Sequence, residues 1–168
     1  MSGFSDFACS IARTLDTVGE WWTLLILRDL FAGMNRYDEI QRDLGIASNV
    51  LAARLRTLRE AGLVERQPDP DDARRWTYAL TPRGRDLYPV LLALMAYGDK
   101  WHAQPGRQPV LVVHETCGHV TAAVPSCSIC HRPLALEALR FVPGPGAHPG
   151  PGTAEIGRYL MPRPAQPG

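Results

Sequence analysis

Through residues 9–102 apolar side chains recur every three or four positions, the period of helices that bury one face. In CSIARTLDTVGEWWTLLILRDLFAG this period predicts two helices broken near Gly19. The second is strongly apolar and ends at Gly33, in the left-handed conformation that helix ends favour. Residues 37–44 read as a short helix carrying Tyr37, Ile40, Gln41 and Leu44 on one face. Gly45 then supplies a tight turn, and Ile46 plugs back into the core. The next stretch is SNVLAARLRTLREAGLV, with Ser48 as the expected N-cap and Leu51, Leu55 and Leu58 on one stripe. Turning that stripe inward leaves Asn49, Ala52, Ala53 and Arg56 facing out.

The period then shortens. Residues 63–67 and 75–80 read as two strands around the turn-rich tip PDPDDAR. Helix, glycine turn, apolar plug and helix make a helix-turn-helix, and the hairpin adds a wing. The expected fold is therefore mainly α with a small β wing: a winged helix-turn-helix domain followed by a small β-rich, zinc-ribbon-like module. A helix that reads double-stranded DNA must be slim enough for the major groove, and small residues flanked by a few long polar ones meet that need. Ser48, Asn49, Ala52, Ala53, Arg54 and Arg56 are the candidate contacts. Arg74 and Arg75 on the wing are placed to approach phosphate, although Asp69, Asp71 and Asp72 beside them would repel it. On periodicity alone, a small helical bundle with a solvated arginine face fits as well.

Composition bounds these readings. The chain has 168 residues and 45% apolar content, enough for one ordinary domain and an appendage. The net charge is +1, and residues 1–102 carry 13 basic against 14 acidic side chains, so gross charge does not argue for nucleic acid. No apolar run reaches membrane-spanning length and MSGFSDFACSIAR has no signal-like core, so the expectation is a soluble cytoplasmic protein without a membrane partner. Composition divides the chain into 9–102, 106–142 and a Pro/Gly-rich tail, 143–168, expected to be flexible. Late in the first segment Thr81 and Pro82 start a helix as N-cap and N1. Leu87, Val90, Leu91, Leu94, Met95, Gly98 and Trp101 then recur at three and four residues. Such a stripe either pairs two copies as a homodimer or closes onto its own domain.

The stretch HETCGHVTAAVPSCSICH, residues 114–131, concentrates three of the four cysteines and three of the five histidines. His114-x-x-Cys117-Gly118 and Cys127-x-x-Cys130 each have the spacing of a knuckle that aims two ligands at one ion, and two knuckles on a hairpin make a tetrahedral zinc site. His119 and His131 are the substitutes for His114. Four protein ligands leave no vacancy, so such a zinc is structural, and the segment has little core to fold without it. A disulfide between Cys127 and Cys130 would make a redox switch but leave His114 and Cys117 unexplained. No catalytic constellation is visible, and no enzyme is expected.

Residues 9–102 resemble the HxlR-type transcriptional regulators, which share a MarR-like DNA-binding fold. The landmarks are Cys9 before the first helix, Trp22 with LLILRDL, the phrase LAARLRTLREAGLVER, and Tyr78-x-Leu80-Thr81-x-x-Gly84. The sequence departs from the pattern at Ser10, where a proline usually follows the cysteine, and in its acidic wing. The resemblance implies a dimeric regulator on a palindromic operator, with recognition helices about one DNA turn apart. It also implies a small-molecule or redox effector, with Cys9 as a possible redox thiol. The alternatives are that Cys9 is a small buried hydrophobe, and that the chain is a protein–protein adaptor or thiol-based sensor using its Cys/His cluster.

Overall fold

In the computed structural model, residues 3–72 and 74–156 are described. The described chain forms two compact units, one drawn from residues up to 20 together with those from 134 onward, the other from residues 21–133.

The first unit contains α1, Ser10–Val18, whose N-cap is Cys9. Cys9 is half-buried with a free thiol. Arg13 Nε donates to the Phe7 carbonyl at 2.7 Å, tying the helix to the segment before it. Of the expected tail only the part up to Ile156 belongs to the described residues; the remainder lies outside them. In the described part Thr153 Oγ1 donates to the His148 carbonyl at 3.2 Å. Gly152 has φ +72 and its Cα faces the Phe7 ring so closely that a Cβ would collide with it.

The second unit holds α2 (Trp21–Phe31), α3 (Tyr37–Leu44), α4 (Ser48–Glu60), β1 (Val64–Pro68), β2 (Trp76–Leu80), α5 (Pro82–Arg85), α6 (Tyr88–Trp101), β3 (Val112–His114) and β4 (His119–Thr121). It is mainly helical with two small antiparallel hairpins, and its α3–turn–α4 with the β1–β2 hairpin is consistent with a winged helix-turn-helix. Ile26 and Leu27 of α2, Ile40 of α3, Leu51, Leu55 and Leu58 of α4, and Val64 and Leu80 of the wing are buried together. Gly45 turns the chain between α3 and α4 with φ +59, and Ile46 is buried as its plug. Strands β1 and β2 pair from Val64↔Leu80 to Pro68↔Trp76, so β1 is shifted by one residue from the expected 63–67 and β2 starts one residue later than the expected 75–80. The free edge of β2 is covered where Tyr78 N donates to the Asn35 carbonyl at 2.8 Å, beside an Arg36↔Thr77 bridge.

Two expectations need correction. Ser48 is the first residue of α4, not its cap: Ala47 takes the N-cap position and no side chain caps the helix. Ser48 Oγ lies instead 2.8 Å from the Tyr37 phenol. The helix expected to run on from Thr81 and Pro82 is two helices. Thr81 caps α5, its hydroxyl accepting from Gly84 N at 3.1 Å, but Pro89 in the first turn of α6 has no N–H to continue the ladder and its ring would meet the preceding turn. No helix among the described residues is long and apolar enough to cross a membrane.

Candidate functional site

The face of α4 opposite its leucine stripe is the first candidate surface. Asn49, Ala52 and Arg56 are exposed, Ala53 and Arg54 are half-buried, and Ser48 lies exposed at the helix start. Helical geometry accounts for this: with Leu51, Leu55 and Leu58 buried, the other positions must point away from the core. Tyr37 sets the start of α4 against α3, its phenol donating to the Ser48 carbonyl at 2.7 Å. That bond occupies a backbone oxygen and aligns the two helices of the motif.

Beside α4, Arg56, Arg59 and Arg66 line a groove with Glu60, Val64 and Glu65. The Arg66 guanidinium lies over the Trp76 ring, 4.1 Å from its centre, across the hairpin. A guanidinium over an aromatic face keeps N–H groups with which to meet an anion. Neither Arg66 nor Trp76 stood out in the sequence, because only the strand register brings them side by side.

The wing carries a third correction. Asp69 does not act as a repulsive surface charge. It is buried, its carboxylate accepts from Arg36 Nε at 2.9 Å and from Asp71 N at 2.9 Å, and these bonds hold its carboxyl below the usual carboxylate range, the backbone N–H of Asp71 contributing most. Asp72 accepts from Arg74 Nε at 3.1 Å and from Arg74 N at 3.1 Å, and lies 3.6 Å from Arg75 Nε. Its carboxyl is lowered chiefly by the Arg74 side chain. Both wing arginines are exposed, yet each is paired within the tip.

Helix α6 shows an apolar surface with no buried residue. Leu94 is 49% and Trp101 62% exposed, and Val90 and Tyr97 join them, whereas Leu91 and Met95 are half-buried. Within its own unit α6 meets α2 through the Phe31 and Tyr88 rings, 4.9 Å apart, and borders a small cavity with the base of the β3–β4 hairpin.

The Cys/His stretch is two pairs. His114 Nδ1 lies 3.2 Å from Cys117 Sγ. Cys127 Sγ accepts from Ile129 N at 3.5 Å, and its thiol is lowered first by the backbone N–H of Cys130, then by that of Ile129 and by the Cys130 thiol beside it. Among the described residues no three His, Cys, Asp or Glu side chains gather closely enough to hold a metal ion. Each turn joins its own pair locally, and no buried residue between 110 and 133 draws the turns together. His119, opposite His114 in the β3–β4 register, and His131 are both exposed.

A family model described as "HxlR-like helix-turn-helix" matches residues 17–105. An uncharacterized HTH-type transcriptional regulator of Mycobacterium tuberculosis is 40% identical over 137 residues, covering 82% of this chain and 87% of the relative. Among solved structures, the candidate transcription factor PA1607 superposes with a TM-score of 0.74 at 36% identity, covering 82% of this chain and 96% of that one. PA1374, a candidate transcription factor from Pseudomonas aeruginosa, does so with 0.57 at 40% identity, over 90% of this chain and 100% of its own. With the family model spanning the helix-turn-helix, the wing and α6, the chain belongs to the HxlR-like helix-turn-helix family, a family of transcriptional regulators and not of enzymes.

Proposed function

We propose that the protein is a homodimer that binds a palindromic operator in double-stranded DNA, each α4 entering a major groove. The observation that carries this reading is the pairing, on one helix, of a fully buried leucine stripe with an outer face of Ser48, Asn49, Ala52, Ala53 and Arg56. The small residues let the helix backbone approach the groove floor, and Asn49 and Arg56 supply the bidentate donors and acceptors that distinguish base pairs. Arg66, stacked on Trp76, and the exposed Arg74 and Arg75 are suited to phosphate. The net charge of +1 makes this a local interface and not a general polyelectrolyte attraction.

The dimer half of the reading rests on α6. Val90, Leu94, Tyr97 and Trp101 form an apolar surface of the kind that a soluble chain covers with a second copy. Two-fold symmetry then spaces the recognition helices by about 34–36 Å, one turn of DNA. Selection of bound fragments from random DNA, followed by sedimentation of the protein alone and with the selected duplex, tests both halves. The expected result is a two-fold-symmetric site bound by two chains, with Leu94→Glu shifting the free protein to monomer and weakening binding. A monomer at micromolar concentration, or selected fragments without symmetry, overturns the dimer. Absence of any selected sequence overturns DNA reading.

A further inference from the structure

The two turns of the Cys/His stretch are built alike. In the first, Gly118 N donates to the His114 carbonyl at 2.8 Å and Gly118 is left-handed, φ +71. In the second, His131 N donates to the Cys127 carbonyl at 2.9 Å and His131 is left-handed, φ +57. Each turn therefore closes from position five back to position one, places position five at positive φ, and brings positions one and four together. Position five of the first turn is the glycine that such a φ favours. In the second it is a histidine, and among the described residues that is the one non-glycine at positive φ. Histidine adopts this conformation less readily than glycine, and the closing hydrogen bond to the Cys127 carbonyl holds it there.

Side-chain positions agree with the backbone. His114 Nδ1 stands 3.2 Å from Cys117 Sγ, near the edge of about 3.5 Å that one thiolate and one imidazole span on a tetrahedral zinc. Cys127, three positions before Cys130, receives the N–H of Ile129 on its Sγ at 3.5 Å, inside the second turn. The surroundings lack the means to fold by burial. Val113, Val120, Val124 and Ile129 are all exposed, and strands β3 and β4 have only three residues each.

We infer that the two turns are the halves of one structural zinc site, closed when His114, Cys117, Cys127 and Cys130 bind a single Zn²⁺. Three thiols lose their protons to solvent, and the neutral imidazole donates through the nitrogen facing Cys117, so the filled site carries one net negative charge. With four protein ligands there is no position for water or substrate, and the ion's role is to cross-link residues 110–133. This inference is independent of DNA binding: its failure leaves the regulator reading intact.

The test uses the full chain purified under reducing conditions without chelator. Zinc by elemental analysis should come to about one per chain, and Co²⁺ substituted for it should give the visible bands of a tetrahedral site together with a sulfur charge-transfer band. Cys117→Ser, Cys127→Ser, Cys130→Ser and His114→Ala should each lose the metal, with the helical circular dichroism kept as the check that the rest of the chain has folded. His119→Ala should keep it. His131→Gly should keep it too, since glycine suits the left-handed position. Chelator-free protein devoid of zinc that also fails to bind added Co²⁺ tetrahedrally overturns the proposal. So does retention of zinc by the Cys117→Ser and Cys127→Ser variants, or a Cys127–Cys130 disulfide in place of metal.

Discussion

Arg36 Nε donates to the buried carboxylate of Asp69 at 2.9 Å, joining the residue before α3 to the root of the wing tip. An acid that by position looked hostile to DNA is thus part of the scaffold that fixes the wing against the helix-turn-helix. Because the fold lowers its pKa, Asp69 favours the native state when ionised. That contribution is complete above the ordinary carboxylate pKa and disappears as pH falls through the lowered native value. Asp69→Asn should therefore lower the urea midpoint at neutral pH and lose less stability than the parent below about pH 4. Parallel urea titrations at the two pH values decide it, and identical pH profiles for both proteins would show the pair to be without effect.

Arg56 is the long polar side chain on the outer face of α4. Arg56→Ala should cost about 1–3 kcal/mol on the preferred DNA and relax the preference at one base pair, while Arg75→Ala should weaken binding to all sequences alike. Competition binding against single-base variants of the selected site distinguishes the two patterns. Unchanged affinity and selectivity for Arg56→Ala would mean that another face of the helix reads DNA.

Asp72 engages both Arg74 and Arg75 in the wing tip. Any phosphate contact by these arginines competes with that carboxylate. Asp72→Asn should tighten binding to DNA of any sequence by about two- to fivefold, the size of an exposed ion pair, and steepen its salt dependence. Titration by fluorescence anisotropy over a range of salt measures both, and a weaker affinity would show that Asp72 shapes the tip more than it masks charge.

Gly84 is packed on backbone. A Cβ there would collide with the Leu63 carbonyl oxygen, which already accepts from Thr81 N at 3.1 Å. Gly84→Ala must push the start of α5 off the wing and should cost about 1–3 kcal/mol. Thermal unfolding provides the comparison. No loss of stability would mean that α5 can shift freely against the hairpin.

Several of these features are legible in one dimension because their causes are local. The three-and-four spacing of Leu51, Leu55 and Leu58 alone decides which face of α4 is buried, and Gly45 announces the turn because a left-handed residue is needed where α3 ends. The Tyr78-x-Leu80-Thr81-x-x-Gly84 pattern is one of the landmarks of the family resemblance, and its spacing has a physical cause. Thr81 caps α5 through the N–H of Gly84, and Gly84 has no side chain because the Leu63 carbonyl lies against it. Spacing of three likewise sufficed to pair His114 with Cys117 and Cys127 with Cys130, since one turn spans each pair.

What tertiary structure decided involves partners distant in sequence. Asp69 is a charge beside two arginines until the fold brings Arg36 to it from 33 positions upstream; burial with a partner then makes it a scaffold. Ser48 has the chemistry of a cap, but the phenol of Tyr37, 11 positions earlier, reaches it across the turn. Arg66 and Trp76 meet only because β1 and β2 pair in one register out of several that the turn-rich tip would permit. Helical and turn periods are set by the backbone, so the order of residues along the chain is enough to determine them. Contacts between elements depend on how far and at what angle each element is carried, and that is settled by the packing of the whole core.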